Sequence, residues 1–125
     1  MSEKITSHRE LKVYRLSFDL GMELFAITKA FPKEEIYSMT DQIRRSSRSV
    51  SANISEAFRK RRYPKNFVSK LSDAEAEAAE TQVWLDYALA CQYITKESYD
   101  KLIQQYEYVI GMLVNMSSHP EKWAW

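Results

Sequence analysis

The chain has 125 residues, of which 45% are hydrophobic and 28% charged, and these proportions are typical of one globular domain. Its net charge of +1 argues against a protein that coats nucleic acid by overall charge alone. Two glycines and three prolines supply few turn residues, which favours long helices over a sheet. Cys91 is the single cysteine, so an internal disulfide is excluded. We expect no leader, no membrane span and a reducing cytoplasm.

The first predicted helix covers residues about 9–30, and Pro32 follows it, because the residue before a proline avoids the α region. Its main apolar stripe follows helical spacing through Leu16, Leu20 and Leu24. Further large apolar residues lie partly off this stripe: Leu11, Tyr14, Phe18, Met22 and Phe25. The apolar surface is therefore wider than one bundle face requires. Either a well-buried helix or a helix that also contacts another subunit would explain this width.

The second predicted helix covers residues about 34–59, and Glu34 and Glu35 near its start suit the positive end of the helix dipole. The third covers residues about 64–92, with Pro64 in its first turn. Serines crowd the middle of the second helix and alanines the middle of the third. Small side chains allow two helices to approach closely.

The fourth predicted helix covers residues about 95–116, and Thr95 is its expected N-cap. Short connections force neighbouring helices to run antiparallel, so we predict an all-α, up-down-up-down four-helix bundle. Residues 1–125 form a single domain in this interpretation. The tail, 117–125, carries two tryptophans, Trp123 and Trp125. Either they dock on this bundle or on a neighbouring one, or the tail is disordered.

Half of the positive charge lies in 27 residues, from Arg44 to Lys70. Nine of the 18 lysines and arginines occur there with Glu56 as the only acid, a local balance of +8. If the protein binds a polyanion, this stretch is the expected site. The connection between the second and third helices supplies the predicted nucleic-acid contacts, as a flexible basic loop: Arg59, Lys60, Arg61, Arg62 and Lys65.

No pattern in the sequence indicates catalysis, a metal or a cofactor. His8 and His119 are the only histidines, and both lie near the ends of the chain. The di-metal site of helical bundles needs Glu-x-x-His, which does not occur. The two glycines, Gly21 and Gly111, lie within predicted helices and form no phosphate-binding loop. We therefore predict a protein that is not an enzyme.

Two structural pairings are predicted from position along the helices. Glu80 lies mid-helix beside the alanine stripe, so we expect it to pair with Arg44 or Arg45 of the second helix. Asn53 and Glu56 lie about one turn apart, which favours a hydrogen-bonded structural pair over a ligand site.

Several ordered motifs resemble one family, the four-helix-bundle proteins called 23S rRNA-intervening sequence proteins. The second helix carries the main signature, Gln42-Ile43-Arg44-Arg45-Ser46-Ser47 followed by Ser51-Ala52-Asn53-Ile54-Ser55-Glu56. Three shorter motifs agree with it: Leu11-Lys12-Val13-Tyr14, Phe31-Pro32-Lys33-Glu34-Glu35 and Glu80-Thr81 with Trp84-Leu85. Ala57 departs from the family, which usually has glycine there, so we expect the helix to continue to Phe58 or beyond.

The resemblance implies a bundle that assembles into a ring, typically a pentamer. It also implies kinship with the accessory protein of diversity-generating retroelements, a basic pentamer that binds a reverse transcriptase and nucleic acid. Two functions stay open. One is a non-enzymatic, ring-forming adaptor that binds RNA or DNA. The other is a protein-interaction scaffold without nucleic acid, whose basic loop docks an acidic partner or is merely solvated. Arg44 and Arg45 are expected to be structural under both.

Overall fold

The computed structural model describes residues 4–124, and these form four α-helices and three short 3₁₀ turns. The helices are α1 (Lys12–Thr28), α2 (Met39–Arg59), α3 (Pro64–Ala90) and α4 (Lys96–Ser118). No β-strand occurs among the described residues, which confirms the predicted all-α class.

Side-chain contacts show that consecutive helices run antiparallel. Between α1 and α2, Ser17 contacts Ser51 and Thr28 contacts Arg44. Residue numbers in these contacts rise along α1 and fall along α2, as in an antiparallel pair. Between α2 and α3, Thr81 contacts Ser46 and Lys70 contacts Glu56. Between α3 and α4, Gln82 approaches Ile103 and Asp86 accepts from Tyr99. Because α1 also packs on α4, the four helices close into a bundle.

The core of the bundle takes apolar side chains from all four helices. Its largest fully buried members include Leu20 and Leu24 of α1, Ile43 and Ile54 of α2, Phe67, Leu71 and Leu85 of α3, and Leu102, Tyr106 and Leu113 of α4. With the smaller buried residues between them, the buried positions of α1, α3 and α4 recur at intervals of three and four, as the core-facing side of a helix requires. Tyr106 is buried with its hydroxyl unpartnered among the described residues, and burial raises its pKa.

The helices α2 and α3 form the most extensive pair in the bundle. Small residues meet at this contact, where Ser46 of α2 touches Thr81 of α3, and Ala78, one turn before Thr81, is fully buried. The Thr81 hydroxyl donates to the Ser46 hydroxyl at 2.8 Å, so the polar groups of this contact satisfy each other. The expected close approach of the serine-rich and alanine-rich helices is confirmed.

The chain enters α1 through a capped turn rather than a continuous helix from residue 9. Ser7 and Glu10 form a capping box around the 3₁₀ turn His8–Glu10. Leu11 then adopts an extended backbone, with φ −72° and ψ 128°, and is buried. The α-helix therefore begins only at Lys12 and ends at Thr28, which corrects the predicted range 9–30.

The connection from α1 to α2 contains a separate 3₁₀ turn, Lys33–Glu35, so the predicted start of α2 at residue 34 is wrong. The Glu35 carboxylate accepts from the Ser38 hydroxyl at 2.6 Å and from the Tyr93 hydroxyl at 2.9 Å. These bonds hold the turn against the connection between α3 and α4. They lower the pKa of Glu35, and the same contact raises the pKa of Tyr93 to about 12.

The remaining boundaries lie close to the predicted ones. Pro64 occupies the first turn of α3, and Thr95 caps α4 by accepting from the Ser98 amide at 3.1 Å, as expected. The helix α3 ends at Ala90, two residues early, because Gln92 adopts a left-handed backbone with φ 65°. The Tyr93 amide can then donate to the Ala88 carbonyl at 2.8 Å, which closes the helix end.

The tail folds back onto the bundle as far as it is described. After α4, the 3₁₀ turn Pro120–Lys122 packs on α3, and the ring of Trp123 lies 6.4 Å from that of Phe67. Docking on its own bundle is thus the outcome for Trp123, whereas Trp125 lies outside the described residues. No helix within 4–124 is both long and apolar enough to cross a bilayer.

Replacing Ala78 by leucine should destabilise the protein, because the larger side chain would force α2 and α3 apart. We expect the free energy of unfolding to fall by about 1–3 kcal/mol, as for other overpacked cores. Urea denaturation measures this value. Ala79→Leu is the matched control, because Ala79 is the exposed neighbour. Equal effects of the two substitutions would contradict the close packing at Ala78.

Candidate nucleic-acid interface

Four exposed cations surround the connection between α2 and α3, and we call them the α2–α3 cluster: Arg59, Lys60, Arg62 and Lys65. Arg59 is the last residue of α2 and Lys65 lies in the first turn of α3, so the connection itself is short. The Tyr63 amide donates to the Lys60 carbonyl at 2.8 Å, which closes a tight turn. The predicted loop is therefore a turn between helix ends, and four of its five predicted contacts lie on its surface.

Arg61 differs from its neighbours because its side chain is buried. It is 8% exposed, its guanidinium carbon lies 3.8 Å from the centre of the Phe58 ring, and Nη1 donates to the Phe58 carbonyl at 2.8 Å. Burial lowers the pKa of Arg61, and nearby Arg59 adds to this effect. The expectation that Arg61 is a phosphate contact is corrected by this packing: it holds the end of α2.

Tyr63 adds an aromatic surface to the α2–α3 cluster. Its side chain is 56% exposed, whereas Phe67, one turn later, is fully buried in the core. Tyr63 can therefore stack on a nucleobase, but Phe67 cannot. Both rings lie close to the basic turn in the sequence, but the structure places only Tyr63 at the surface.

Lys70 marks the edge of the basic stretch, because it faces carboxylates. Its Nζ lies 3.3 Å from Glu56 across the two helices and 4.0 Å from Asp73 on its own helix. Glu56 thus points to α3. Asn53 instead donates to the carbonyl and hydroxyl of Ser49, at 2.9 and 3.2 Å. The predicted Asn53–Glu56 pair is therefore wrong: each side chain has another partner.

The predicted ion pair of Glu80 with Arg44 or Arg45 is also wrong. Glu80 is exposed and accepts from the Trp84 indole at 3.2 Å. Arg45 is exposed and makes no ion pair within residues 4–124. The acidic residue of α3 that feels the charge of Arg45 is Glu77. Burial and the charges of Glu80 and Asp73 raise the pKa of Glu77, and the charge of Arg45 lowers it.

Arg44 is a packed, structural arginine, as expected, although its partners are on α1. Its Nε donates to the Thr28 hydroxyl at 2.9 Å and its Nη2 to the Phe25 carbonyl at 3.3 Å. The Phe25 ring also gathers three cations, at 4.6 Å from Lys29, 4.7 Å from Arg44 and 5.8 Å from Arg48. Cations above the face of an aromatic ring are attracted by its quadrupole.

These three cations border a cleft of about 550 Å³ beside the connection between α1 and α2. We call it the cationic cleft; its wall also includes Lys33, Ile36, Tyr37, Thr40, Asp41 and Arg45. Sequence reasoning missed this site. The signal was present, because two lysines flank Pro32 and three arginines follow within one helix, but nothing in the sequence showed that they share one surface.

A second depression lies between α1 and α2, nearer the start of α1, and has a volume of about 510 Å³. Large apolar side chains of α1 form one wall, among them Phe18 and Met22, which are 50% and 52% exposed. Small residues of α2, such as Ser51 and Ala52, form the other wall. We call it the apolar groove. Of the off-stripe residues of α1, Phe18 and Met22 thus form a surface, whereas Leu11 packs in the core.

The described residues form no cluster of metal ligands. Across residues 4–124, no three histidine, cysteine, aspartate or glutamate side chains lie together in a way that could hold a metal ion. Cys91 is exposed at the end of α3.

Comparison with known proteins agrees with this architecture. The sequence model of the 23S rRNA-intervening sequence protein family matches residues 9–115. No curated protein sequence matches the chain. The fold is similar to the crystal structure of a protein of unknown function from the S23 ribosomal protein family of Bacteroides thetaiotaomicron VPI-5482. That match has a TM-score of 0.77 and 29% sequence identity, and covers 85% of this chain and 95% of the other. The resemblance drawn from the sequence motifs is confirmed.

Replacing Arg61 by alanine should cost stability rather than only charge. The substitution removes the contact with the Phe58 ring and the hydrogen bond to its carbonyl, so we expect a loss of about 1–3 kcal/mol. Lys60→Ala, at the exposed neighbouring position, should change stability by no more than about 0.5 kcal/mol. Thermal and urea unfolding of both variants checks this difference. Unfolding of Arg61→Ala like that of the wild type would contradict a structural role.

Proposed function

The chain belongs to the 23S rRNA-intervening sequence protein family, and we propose that it is a non-enzymatic adaptor that assembles into a ring and binds RNA or DNA. The observation that carries this proposal is the α2–α3 cluster. It presents four exposed cations within seven residues, and no carboxylate occurs between Glu56 and Asp73. Nucleic-acid phosphates are the polyanion that such a surface suits.

The geometry of the cluster favours contact with the nucleic-acid backbone over reading of base sequence. Its cations lie at the ends of two helices and in the turn between them. They do not form a row along one helix face, as a helix that enters a groove of the nucleic acid would present. Contacts to phosphates fix position and carry no direct sequence information. Tyr63, exposed within the cluster, offers a stacking surface for an unpaired base. We therefore propose single strands as the preferred ligand.

Assembly would multiply a surface that is small on one subunit. The apolar groove supports self-association, because exposed Phe18 and Met22 face small α2 residues that leave room for an incoming side chain. In a closed ring each copy of the cluster would recur with the same spacing. Several weak phosphate contacts then act together, which raises the overall affinity without any new contact.

A protein-interaction scaffold without nucleic acid is the second candidate. The apolar groove favours it, because the exposed side chains of Phe18 and Met22 suit an apolar protein partner. In this case the cations of the α2–α3 cluster dock an acidic protein or only keep the assembly soluble. The two candidates differ in whether the purified protein binds a nucleic acid at all.

We expect the wild-type protein to bind single-stranded RNA or DNA with an affinity that falls steeply as salt rises. In the Lys60→Ala/Lys65→Ala variant two phosphate contacts are lost, so the slope of log K against log salt should fall by about 1.4, at about 0.7 per contact on a single strand. Fluorescence anisotropy of labelled oligonucleotides across a salt series measures it. Arg61 stays unchanged in this variant because it is structural.

The control for this titration changes two lysines of α4, Lys96→Ala/Lys101→Ala, which alters the total charge equally. It should leave the slope at the wild-type value. A wild-type protein that binds no oligonucleotide at low salt would overturn the adaptor and favour the scaffold. Equal losses in both variants would remove the α2–α3 cluster as the site.

Introducing a charge into the apolar groove should break the assembly. Met22→Glu places a carboxylate where an apolar contact is expected, and we predict a shift from oligomer to monomer in light scattering after size-exclusion chromatography. Val114→Glu is the control, because Val114 is 45% exposed on α4, away from the groove. A monomeric wild-type protein, or an oligomer that survives Met22→Glu, would contradict this role of the groove.

A further inference from the structure

We propose that the cationic cleft binds a nucleoside phosphate, with its cations on the phosphate and Tyr37 stacked on the base. The source of this group is either a free mononucleotide or the terminal nucleotide of a strand. The site goes beyond the function proposed above, because it involves none of the residues of the α2–α3 cluster. Arg44 and Arg59 also lie 15 positions apart on α2, which separates the two sites by about 22 Å at 1.5 Å per residue.

Charge is the first reason for this assignment. Five cations line the cleft, Lys29, Lys33, Arg44, Arg45 and Arg48, and Asp41 is the only acidic residue in its wall. None of the five makes an ion pair within residues 4–124. Three of them converge on the Phe25 ring, so like charges are held near one another. A bound dianion would neutralise this repulsion.

Arg44 is held in a fixed position for such a ligand. Its contacts with Thr28 and with the Phe25 carbonyl use two of the five N–H donors of a guanidinium. Three donors remain for an anion in the cleft. Because the side chain is anchored from α1, it loses little freedom when it binds, and phosphate is a group that the planar guanidinium recognises with paired hydrogen bonds.

The N-terminal end of α2 contributes a further reason. Thr40 and Asp41 belong to the first turn of α2 and line the cleft, so the positive end of the helix dipole lies beside it. Thr40 is 5% exposed, and its hydroxyl has no hydrogen-bond partner among the described residues. A buried hydroxyl without a partner is uncommon. A phosphate oxygen that reaches the base of the cleft would satisfy it after a side-chain rotation.

Tyr37 adds a surface for the base of a nucleotide. Its side chain is 94% exposed, next to Ile36 at 47%, and both line the same cleft as the cations. An aromatic ring in solvent has no folding role, but it can stack on a nucleobase, since every base presents a flat face. The volume of about 550 Å³ falls in the range of small-ligand sites, 300–1,000 Å³.

Isothermal titration calorimetry with AMP and with inorganic phosphate, at low salt, tests the site on the full chain. The wild type should bind AMP more tightly than phosphate. Tyr37→Ala should weaken AMP binding about 5- to 150-fold, the range of one base–aromatic stack, and leave phosphate binding unchanged. Lys33→Gln/Arg45→Gln should weaken both ligands. The three substituted cleft residues, Tyr37, Lys33 and Arg45, are exposed and lie away from the core, so circular dichroism should show wild-type folding.

The matched control is Lys60→Gln/Lys65→Gln, which removes the same charge from the α2–α3 cluster. It should leave AMP binding unchanged. The proposal is overturned if the wild type does not bind AMP, if AMP and phosphate bind equally, or if only the control variant loses AMP binding. Since this test uses no oligonucleotide, its failure leaves the oligonucleotide titration above unaffected, and the reverse also holds.

A second arm separates the two sources of the ligand. Short RNA with a 5′-phosphate is compared with the same RNA carrying a 5′-hydroxyl, in the Lys60→Gln/Lys65→Gln background that weakens backbone binding. Tighter binding of the 5′-phosphorylated strand, lost when Lys33→Gln/Arg45→Gln is added, assigns the cleft to strand ends. Binding of AMP without this preference assigns it to free nucleotides.

Discussion

The contact between α2 and α3 sets the geometry of the rest of the molecule. Ser46, Ala78 and Thr81 allow the two helices to approach closely, and the bond between the hydroxyls of Ser46 and Thr81 fixes how far one helix is shifted along the other. The same register brings Glu56 beside Lys70. It leaves the connection between the helices too short for a flexible loop, so the cations of the α2–α3 cluster lie at the ends of two packed helices.

One wall of the apolar groove consists of α1 residues for which the core has no room. The bundle needs one apolar stripe from each helix, and α1 carries more apolar residues than that stripe holds. The excess, with Phe18 and Met22 at its centre, lies against the small residues of α2 as the apolar groove. Small residues on α2 thus have two effects, because they permit close packing on one side and leave a depression on the other.

Two predicted pairings and one predicted contact residue failed for one physical reason, which is that sequence spacing does not fix which neighbour a side chain faces. Asn53 and Glu56 are one turn apart, but Glu56 turns to Lys70 and Asn53 bonds back to Ser49. Glu80 lies beside the buried stripe in sequence and still faces solvent, with Trp84 as its partner. Arg61 lies within a run of exposed cations, yet its position after the last turn of α2 directs it onto Phe58.

The sequence by itself determined the class of the fold and the number of helices, because helical periodicity and the scarcity of turn residues follow from local chemistry. The connections were less predictable. Glu34 and Glu35 read as the start of α2, but the Glu35 contacts with Ser38 and with distant Tyr93 form a separate turn. Only the tertiary structure decided which cations are exposed. It also brought Lys29, Lys33 and three arginines of α2 to one cleft, because that placement depends on how α1 packs on α2, and no local pattern encodes it.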